Sequence, residues 1–506
     1  MSGTVVDALV HFARVAPDRV AVDFAGDTVT YAQLDAWADA VADDLLARGV
    51  RAGRRVSVLG GNSLEWCAAA LGAFKVGAIV APFNHRMVPR ELAELVADCE
   101  PAVVYCDAAS RPRIDEVAAD GRFSVLAFAE TVTPLRAGGR PPAARLSPDL
   151  ASPTAIVFTS GTTGRPKGVI FTHASIAGVM HDWMLMESVT PGRLRPLLVL
   201  PLFTAGGLVW GVCRTIHGGG TLLLQPGFDP AEALRVLVEE KADTFTGPPI
   251  LFEQIAKVPD FADADLSHVT TAHVGGAPVP VALFEQWRPR GVLLRQLYGQ
   301  TEIGGSATVT VNADAPGHPE KCGRGTVFTR IRVVDSDGVD CPAGTPGEIM
   351  LRGPGMTPGY WRNEEATAST LVDGWLRTGD LGVLDDTGRL TYVDRIKELI
   401  ISGGLNISPA EIETVISGLD GVIEVAVLAA ADEKFGQTPA AIVVARDGVT
   451  AEAIVAHCTE RLADYKVPRY VVVSTEPLPR MASGKIDKHV LRAEHADIAD
   501  THERVR

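Results

Sequence analysis

Thr159-Ser160-Gly161-Thr162-Thr163-Gly164-Arg165-Pro166-Lys167-Gly168 decides the reading of this chain. These ten residues hold four hydroxyls, three glycines and two cations. Ala155-Ile156-Val157-Phe158, just before them, is an apolar run of strand length. A strand feeding such a loop suits a polyphosphate. Glycines let backbone N–H groups approach an anion, the hydroxyls add neutral donors, and Lys167 adds a point charge. The spacing is not that of the common nucleotide loop, which needs Gly, four residues, then Gly-Lys-Ser/Thr. Here Pro166 stands five residues after Gly161, and Gly168 follows Lys167. A flexible Gly/Thr surface loop is the plain alternative, and the rest of the chain weighs against it.

The chain has 506 residues, 46% hydrophobic and 22% charged, which is globular composition with material for a large core and more than one domain. Its net charge of −15 argues against a nucleic-acid partner, which needs a basic face. No signal-peptide pattern opens it and no run reaches the apolar length of a membrane span, so a cytoplasmic protein is expected. The seven scattered cysteines form no CxxC pair, and the twelve histidines no HxxxH pair. Neither a disulfide framework nor a structural metal is expected.

Strand and helix patterns alternate along the first part. Val56–Gly60 and Ile79–Pro82 read as strands, Ser63–Val76 and Arg90–Cys99 as helices, and the alternation runs on to Val269–Val274. This argues for parallel α/β layers. From about Arg332 short strands separated by Gly/Asp/Pro turns suggest a smaller β-rich region. A further unit begins after Lys397. There Ser408-Pro409-Ala410-Glu411 is a capping-box start, followed by strands at Val422–Leu428 and Ala440–Val444. The last dozen residues are polar and are expected to be mobile.

Six further segments follow the first loop: Pro201-Leu202-Phe203-Thr204-Ala205-Gly206-Gly207, Gly275-Gly276-Ala277-Pro278, Tyr298-Gly299-Gln300-Thr301-Glu302, Thr378-Gly379-Asp380, Asp394-Arg395-Ile396-Lys397-Glu398 and Gly484-Lys485. In kind and order they resemble the adenylate-forming superfamily, which contains acyl- and aryl-CoA synthetases, adenylation domains and luciferase. The resemblance covers nearly the whole chain and is strongest to a bacterial fatty-acid or aryl-acid CoA ligase. It implies an α/β fold: a large N-terminal domain of layered α/β subdomains plus a β-rich subdomain (1–394), a hinge (395–397) and a small mobile α+β C-terminal domain (398–506). It implies ATP, Mg²⁺ and CoA as reactants, and an organic acid as substrate.

The family's roles transfer onto matching positions. Thr159, Ser160, Gly161, Thr162, Thr163, Gly164 and Lys167 would hold the β and γ phosphates. Glu302 would position Mg²⁺, Thr301 would contact phosphate, and Tyr298, with Gly299 and Gln300, would lie near adenine. Gly275, Gly276 and Ala277 would let adenine and the acyl group pass close to backbone. Asp380 would accept from both ribose hydroxyls, with Arg395 and Tyr392 beside it. Lys485 would bridge the substrate carboxylate and the α-phosphate, and with Glu302 and Thr163 it is a catalytic expectation. Lys397 would be the hinge about which the small domain turns, and Gly403-Gly404-Leu405-Asn406 would face the thiol.

The acid's pocket is less legible. Phe203, Thr204, Gly207, Trp210, Phe245, His273 and Gly304 are its expected lining, with His181, Trp183 and Ser306 as further candidates. Trp183 and Trp210 could equally be core, and His273 a structural histidine. Members of the family usually carry His where Thr204 stands, so a reshaped pocket or an unusual nucleophile such as nitrite stays open. So does a carrier protein as acceptor in place of CoA. A non-enzymatic nucleotide binder is disfavoured, because Lys167, Glu302 and Lys485 are all present. The oligomeric state is open, a homodimer included.

Overall fold

The computed structural model describes residues 3–118, 121–137, 149–159, 166–277, 279–403, 405–481 and 484–505. Two large sheets sandwich a layer of helices. The first sheet has six strands, in the order Ser124–Ala127, Val103–Cys106, Arg55–Leu59, Ile79–Phe83, Pro153–Thr159 and Lys167–Thr172. All neighbours are parallel except the last pair. The second has nine strands, with a parallel centre running from Leu294–Tyr298 through Thr271–Gly275, Thr244–Gly247, Pro196–Leu198 and Leu222–Leu224 to Val20–Phe24.

Helices Tyr31–Ala47 and Leu64–Lys75 fill the space between the sheets. Leu64–Lys75 is buried along its whole length because both of its sides meet protein, and Ser63 caps it by accepting from the Trp66 N–H. Its apolar residues join Val56, Val58 and Val80 of one sheet to Val22 and Leu222 of the other in a single core. The outer side of the nine-stranded sheet is covered separately. There Phe245, Ala272, Val274 and Leu294 pack with Phe252, Phe284 and Trp287 of flanking helices. Strand alternation therefore turns His273 and its cross-strand neighbour Arg295 the other way, toward the inner helices.

The expected β-rich region is an antiparallel five-stranded sheet built on Gly347–Arg352, Trp375–Leu384 and Leu390–Arg395. The last sheet centres on the hairpin Val422–Asp432 and Gly436–Ala445, flanked by helices Pro409–Ser417 and Ala451–Thr459. Asp394 links it to the strand before it. This buried carboxylate accepts from Ser408 Oγ (2.6 Å) and from the Ala410 N–H (2.9 Å) at the start of the helix.

Two expectations change. The sequence pattern from Thr4 to about Val50 reads as helical with Asp27–Tyr31 as one short strand, but Val20–Phe24 is a second strand, paired in parallel with Leu222–Leu224. Nor is the end of the chain loose. Ile498 is buried in a short helix, Arg504 pairs with the carboxylate of Asp432, and the Val505 N–H donates to the Arg469 carbonyl. One apolar and one cationic side chain are enough to tie down a polar tail that meets a carboxylate already buried.

Candidate active site

Three parts of the chain converge between the large sheets, the β-rich sheet and the last unit. The first is the hairpin of Pro153–Thr159 and Lys167–Thr172, in which Thr159 pairs with Lys167 and its Oγ1 donates to the Lys167 carbonyl (3.3 Å). The loop closing this hairpin carries Ser160, Gly161, Thr162, Thr163 and Gly164, which lie outside the described residues, as do Pro278 and Gly404. Lys167 is held from the far side: its Nζ lies 5.0 Å from the Tyr360 ring centroid, and the Tyr360 hydroxyl donates to Glu302 Oε1 (2.8 Å). Cation, phenol and carboxylate thus form one short chain. It leaves Glu302 with a second carboxylate oxygen for a hard cation, which takes few protein ligands and retains water.

The second part is a buried carboxylate. The Tyr298 hydroxyl donates to Asp380 Oδ2 at 2.6 Å, and the Tyr298 ring stacks on Tyr392 with centroids 6.0 Å apart. Arg395 Nε stands 2.8 Å from Oδ1, but its N–H is not aligned with that oxygen, which has no hydrogen-bond donor among the described residues. Burial raises the Asp380 carboxyl above the ordinary value, while the Arg395 charge and the Tyr298 hydroxyl act the other way. An acceptor buried without a donor is costly to leave unmatched, and it suits the hydroxyls of a ribose.

The third part is Lys485, on the turn that the last unit lays against Pro248 and Ile250. Its Cε would lie 3.3 Å, and its Nζ 3.6 Å, from a Cβ placed on Gly276. Gly276 has φ +80°, open to glycine and strained for other residues. Burial, then the Arg395 charge, lowers the Lys485 ammonium from its ordinary value, against the pull of Asp380 and Glu398. Lys397 sits in the single helical turn Ile396–Glu398, between the strand that ends at Arg395 and the strand Ile400–Ser402. Gly403, with φ +57°, faces the Phe435 ring.

The expected pocket lining separates into distinct places. Phe245 belongs to the apolar core outside the nine-stranded sheet, against Phe252, and is not with the others. Phe203 is buried edge-on to His85. The Thr204 hydroxyl turns to the backbone: it donates to the Pro201 carbonyl (2.8 Å) and accepts from the Gly207 N–H (3.0 Å), capping a short helix. Trp210 Nε1 donates to the Gly304 carbonyl (2.7 Å), which seats the indole against the Gly304–Gly305 turn. Trp183 meets Trp210 edge to face at 6.0 Å. His273 Nε2 faces Glu187 Oε1 at 3.3 Å, and Arg295 binds both Glu187 oxygens at 2.9 and 2.5 Å.

Sequence reading missed Tyr360, Glu187 and Arg295. Tyr360 carried no signal beyond a Gly-Tyr turn. The other two are single charges in segments that read as ordinary helix end and strand.

A buried carboxylate, a cation–carboxylate pair and a lysine laid over Gly276 thus stand together, an arrangement that can hold a nucleotide. The profile of the AMP-binding enzyme family matches residues 9–361, and that of the AMP-binding enzyme C-terminal domain matches residues 411–485. The chain is 38% identical over 475 residues to the long-chain-fatty-acid–CoA ligase FadD13 of Mycobacterium tuberculosis, covering 92% of this chain and 93% of that one. It is 35% identical to the feruloyl-CoA synthase of an Amycolatopsis species, covering 96% and 97%. Among solved structures it is similar to ATP-bound MatB from Rhodopseudomonas palustris, with TM-score 0.91, 30% identity, and 98% and 100% of the two chains covered. The chain belongs to the AMP-binding enzyme family. It is an AMP-forming acid–thiol ligase, with ATP, Mg²⁺ and CoA as its reactants.

Proposed function

We propose that this enzyme activates an organic acid of the fatty or aryl class as its acyl-adenylate and then passes the acyl group to CoA. The observation that carries the reading is the placement of Lys485 over Gly276 and within the charge field of Asp380. That arrangement suits the first half-reaction. A carboxylate oxygen attacks the α-phosphorus, the bond to the bridging oxygen breaks, and pyrophosphate leaves. The Lys485 ammonium stabilises the charge gathering on the α-phosphate and steadies the incoming carboxylate. Asp380 takes a ribose hydroxyl on Oδ1, which Arg395 approaches at 2.8 Å without donating a hydrogen bond to it. Thr159, Lys167 and the loop residues 160–164 take the β and γ phosphates. Mg²⁺ bound beside Glu302 would supply positive charge to those phosphates.

In the second half-reaction the thiol sulfur attacks the acyl carbon and AMP leaves. For this the part from residue 398 onward turns about residues 395–397, withdrawing Lys485 and bringing Gly403-Gly404 to the thiol. The usual histidine's replacement by Thr204 fits this reading, because the threonine hydroxyl serves the helix start and not the reacting group. Pyrophosphate release from ATP, measured against aliphatic and aryl acids and nitrite with and without CoA, tests it. A thioester formed only when an acid and CoA are both present is the expected result. Release without thioester would replace CoA by a carrier protein, and a response to nitrite alone would overturn the acid.

A further inference from the structure

Helical residues 208–217 enter through a wide turn, Leu208–Cys213, before Arg214–His217. Such widened turns recur at functional sites. Trp210 and Arg214, four residues apart, share one side of it. The Arg214 guanidinium carbon lies 4.9 Å from the Trp183 ring centroid and 5.8 Å from that of Trp210. Arg214 is only 5% exposed, yet Nε and Nη1 are wholly buried with no hydrogen-bond partner among the described residues. No carboxylate forms an ion pair with it there. Of the two acids whose charges act on it, the Asp243 Oδ1 accepts from the Arg195 N–H and the Thr244 hydroxyl, and Glu187 is committed to Arg295.

Other orphans gather on the same inner side of the sheet. Trp183 Nε1, Arg295 Nε and Thr246 Oγ1 are buried without hydrogen-bond partners among the described residues, and Thr246 lies directly across from His273. The group is rich in donors, and among the described residues Arg214 has no carboxylate in contact with it. Burial costs the Arg214 cation enough to lower its pKa to about 10. A buried arginine left in this condition needs an anion that the protein itself does not provide.

We propose that Arg214 is the specificity determinant for a second carboxylate on the substrate, at the end of the acid remote from the reacting carboxyl. The inference rests on the proposed ligase reading, which puts the reacting carboxyl at Gly276 and Lys485. His273, which feels the Arg214 charge, lies three residues before Gly276, about 10 Å back along the chain. A rigid aromatic diacid or an extended chain with a carboxylate at each end spans that distance. Trp183 and Trp210 flank the cation and provide the apolar walls for the carbon skeleton.

Matched pairs decide the matter: terephthalate against para-toluate, and suberate against octanoate. Binding is followed by tryptophan emission, which Trp183 and Trp210 should report, and turnover by pyrophosphate release. The wild type should favour each diacid over its monoacid by about tenfold to a hundredfold, the range of a charge-assisted hydrogen bond. Arg214→Met should bring that ratio to about one. If that variant does not fold, Arg214→Lys should still lower the ratio at least about threefold, because the guanidinium fork is lost. A wild-type ratio of one or less overturns the inference, as does a ratio unchanged in the variants. Discriminating binding without pyrophosphate release would uphold it and overturn the ligase reading. Thioester formation without discrimination would do the reverse.

Discussion

Lys485 crosses Gly276 so closely that a methyl group on Gly276 would stand 3.3 Å from the lysine Cε. The two residues belong to segments far apart in the chain, one just past the strand Thr271–Gly275 of the nine-stranded sheet and the other in the last unit. Their contact closes the site from above. It also makes the glycine a gauge of whether the closed arrangement is the working one.

Gly276→Ala should therefore slow adenylation. The new Cβ meets the lysine arm and forces a backbone at φ +80° that costs an alanine about 1–3 kcal/mol. A fall of about tenfold or more in acid-dependent pyrophosphate exchange is expected. Thioester formation from preformed acyl-AMP should stay within about twofold. Lys485→Ala should cost the first step about 10²–10³-fold and likewise spare the second. Equal loss in both half-reactions would show that the lysine does not act in the first alone.

The same lysine sets a pH signature. Its ammonium is lowered from the ordinary 10.5, first by burial and then by the Arg395 charge. The protonated form is the one that stabilises the phosphate, so adenylation should fall as pH rises, with a midpoint below that of free lysine. Lys485→Arg carries a charge that does not titrate in this range, and any residual activity should lose that alkaline limb. A limb that persists in the arginine variant would belong to another group.

Much of this site was legible because its parts are short motifs in fixed order. Glu302, Asp380 and Lys485 are named by resemblance to motifs in a known order, and Lys167 also by the character of its loop. The helix start at Ser408 follows from local chemistry, and its Oγ accepts from the Glu411 N–H. What could not be read depended on long-range pairing. Val20–Phe24 is a strand only because Leu222–Leu224 lies beside it. Phe245 and Thr246 are adjacent in sequence, and only the sheet's orientation sends one to the apolar core and the other to the polar side. Arg214 in an apolar helix gave no hint of lying unpaired between two tryptophans.

Asp380 and Tyr298 should control nucleotide affinity. Asp380→Asn loses the charge that attracts two hydroxyl donors, and KM for ATP should rise about tenfold to a hundredfold. Tyr298→Phe removes the 2.6 Å hydrogen bond to Oδ2 but leaves Oδ1 for the ribose, so a rise of only about threefold to tenfold is expected. Steady-state kinetics with ATP varied would separate the two, and a larger effect from the phenylalanine would assign the ribose contact to Oδ2 instead.

Thr204→Ala tests whether this position shapes the pocket or only starts a helix. Loss of the cap to the Gly207 N–H should lower stability by about 1 kcal/mol in urea unfolding. The order of preference among acids should be unchanged. A reordered acid profile would return Thr204 to the pocket lining.

Glu187 ties helix to sheet, and its effect should be seen in stability before activity. Burial alone would raise its carboxyl, but the contacts with His273 and Arg295 outweigh this and hold it at about 2, down from an ordinary 4.5. A depressed carboxyl stabilises the fold fully above its unfolded value and progressively loses that contribution as pH falls from about 4.5 toward 2. The span corresponds to about 3 kcal/mol by linkage. Glu187→Gln should therefore be less stable than wild type by about that amount at pH 7, because Arg295 is left buried without its anion. The gap should narrow steadily below about pH 4.5. Urea unfolding of both proteins from pH 7 to pH 3 would read this directly. A gap independent of pH would mean that Glu187 acts by shape and not by charge.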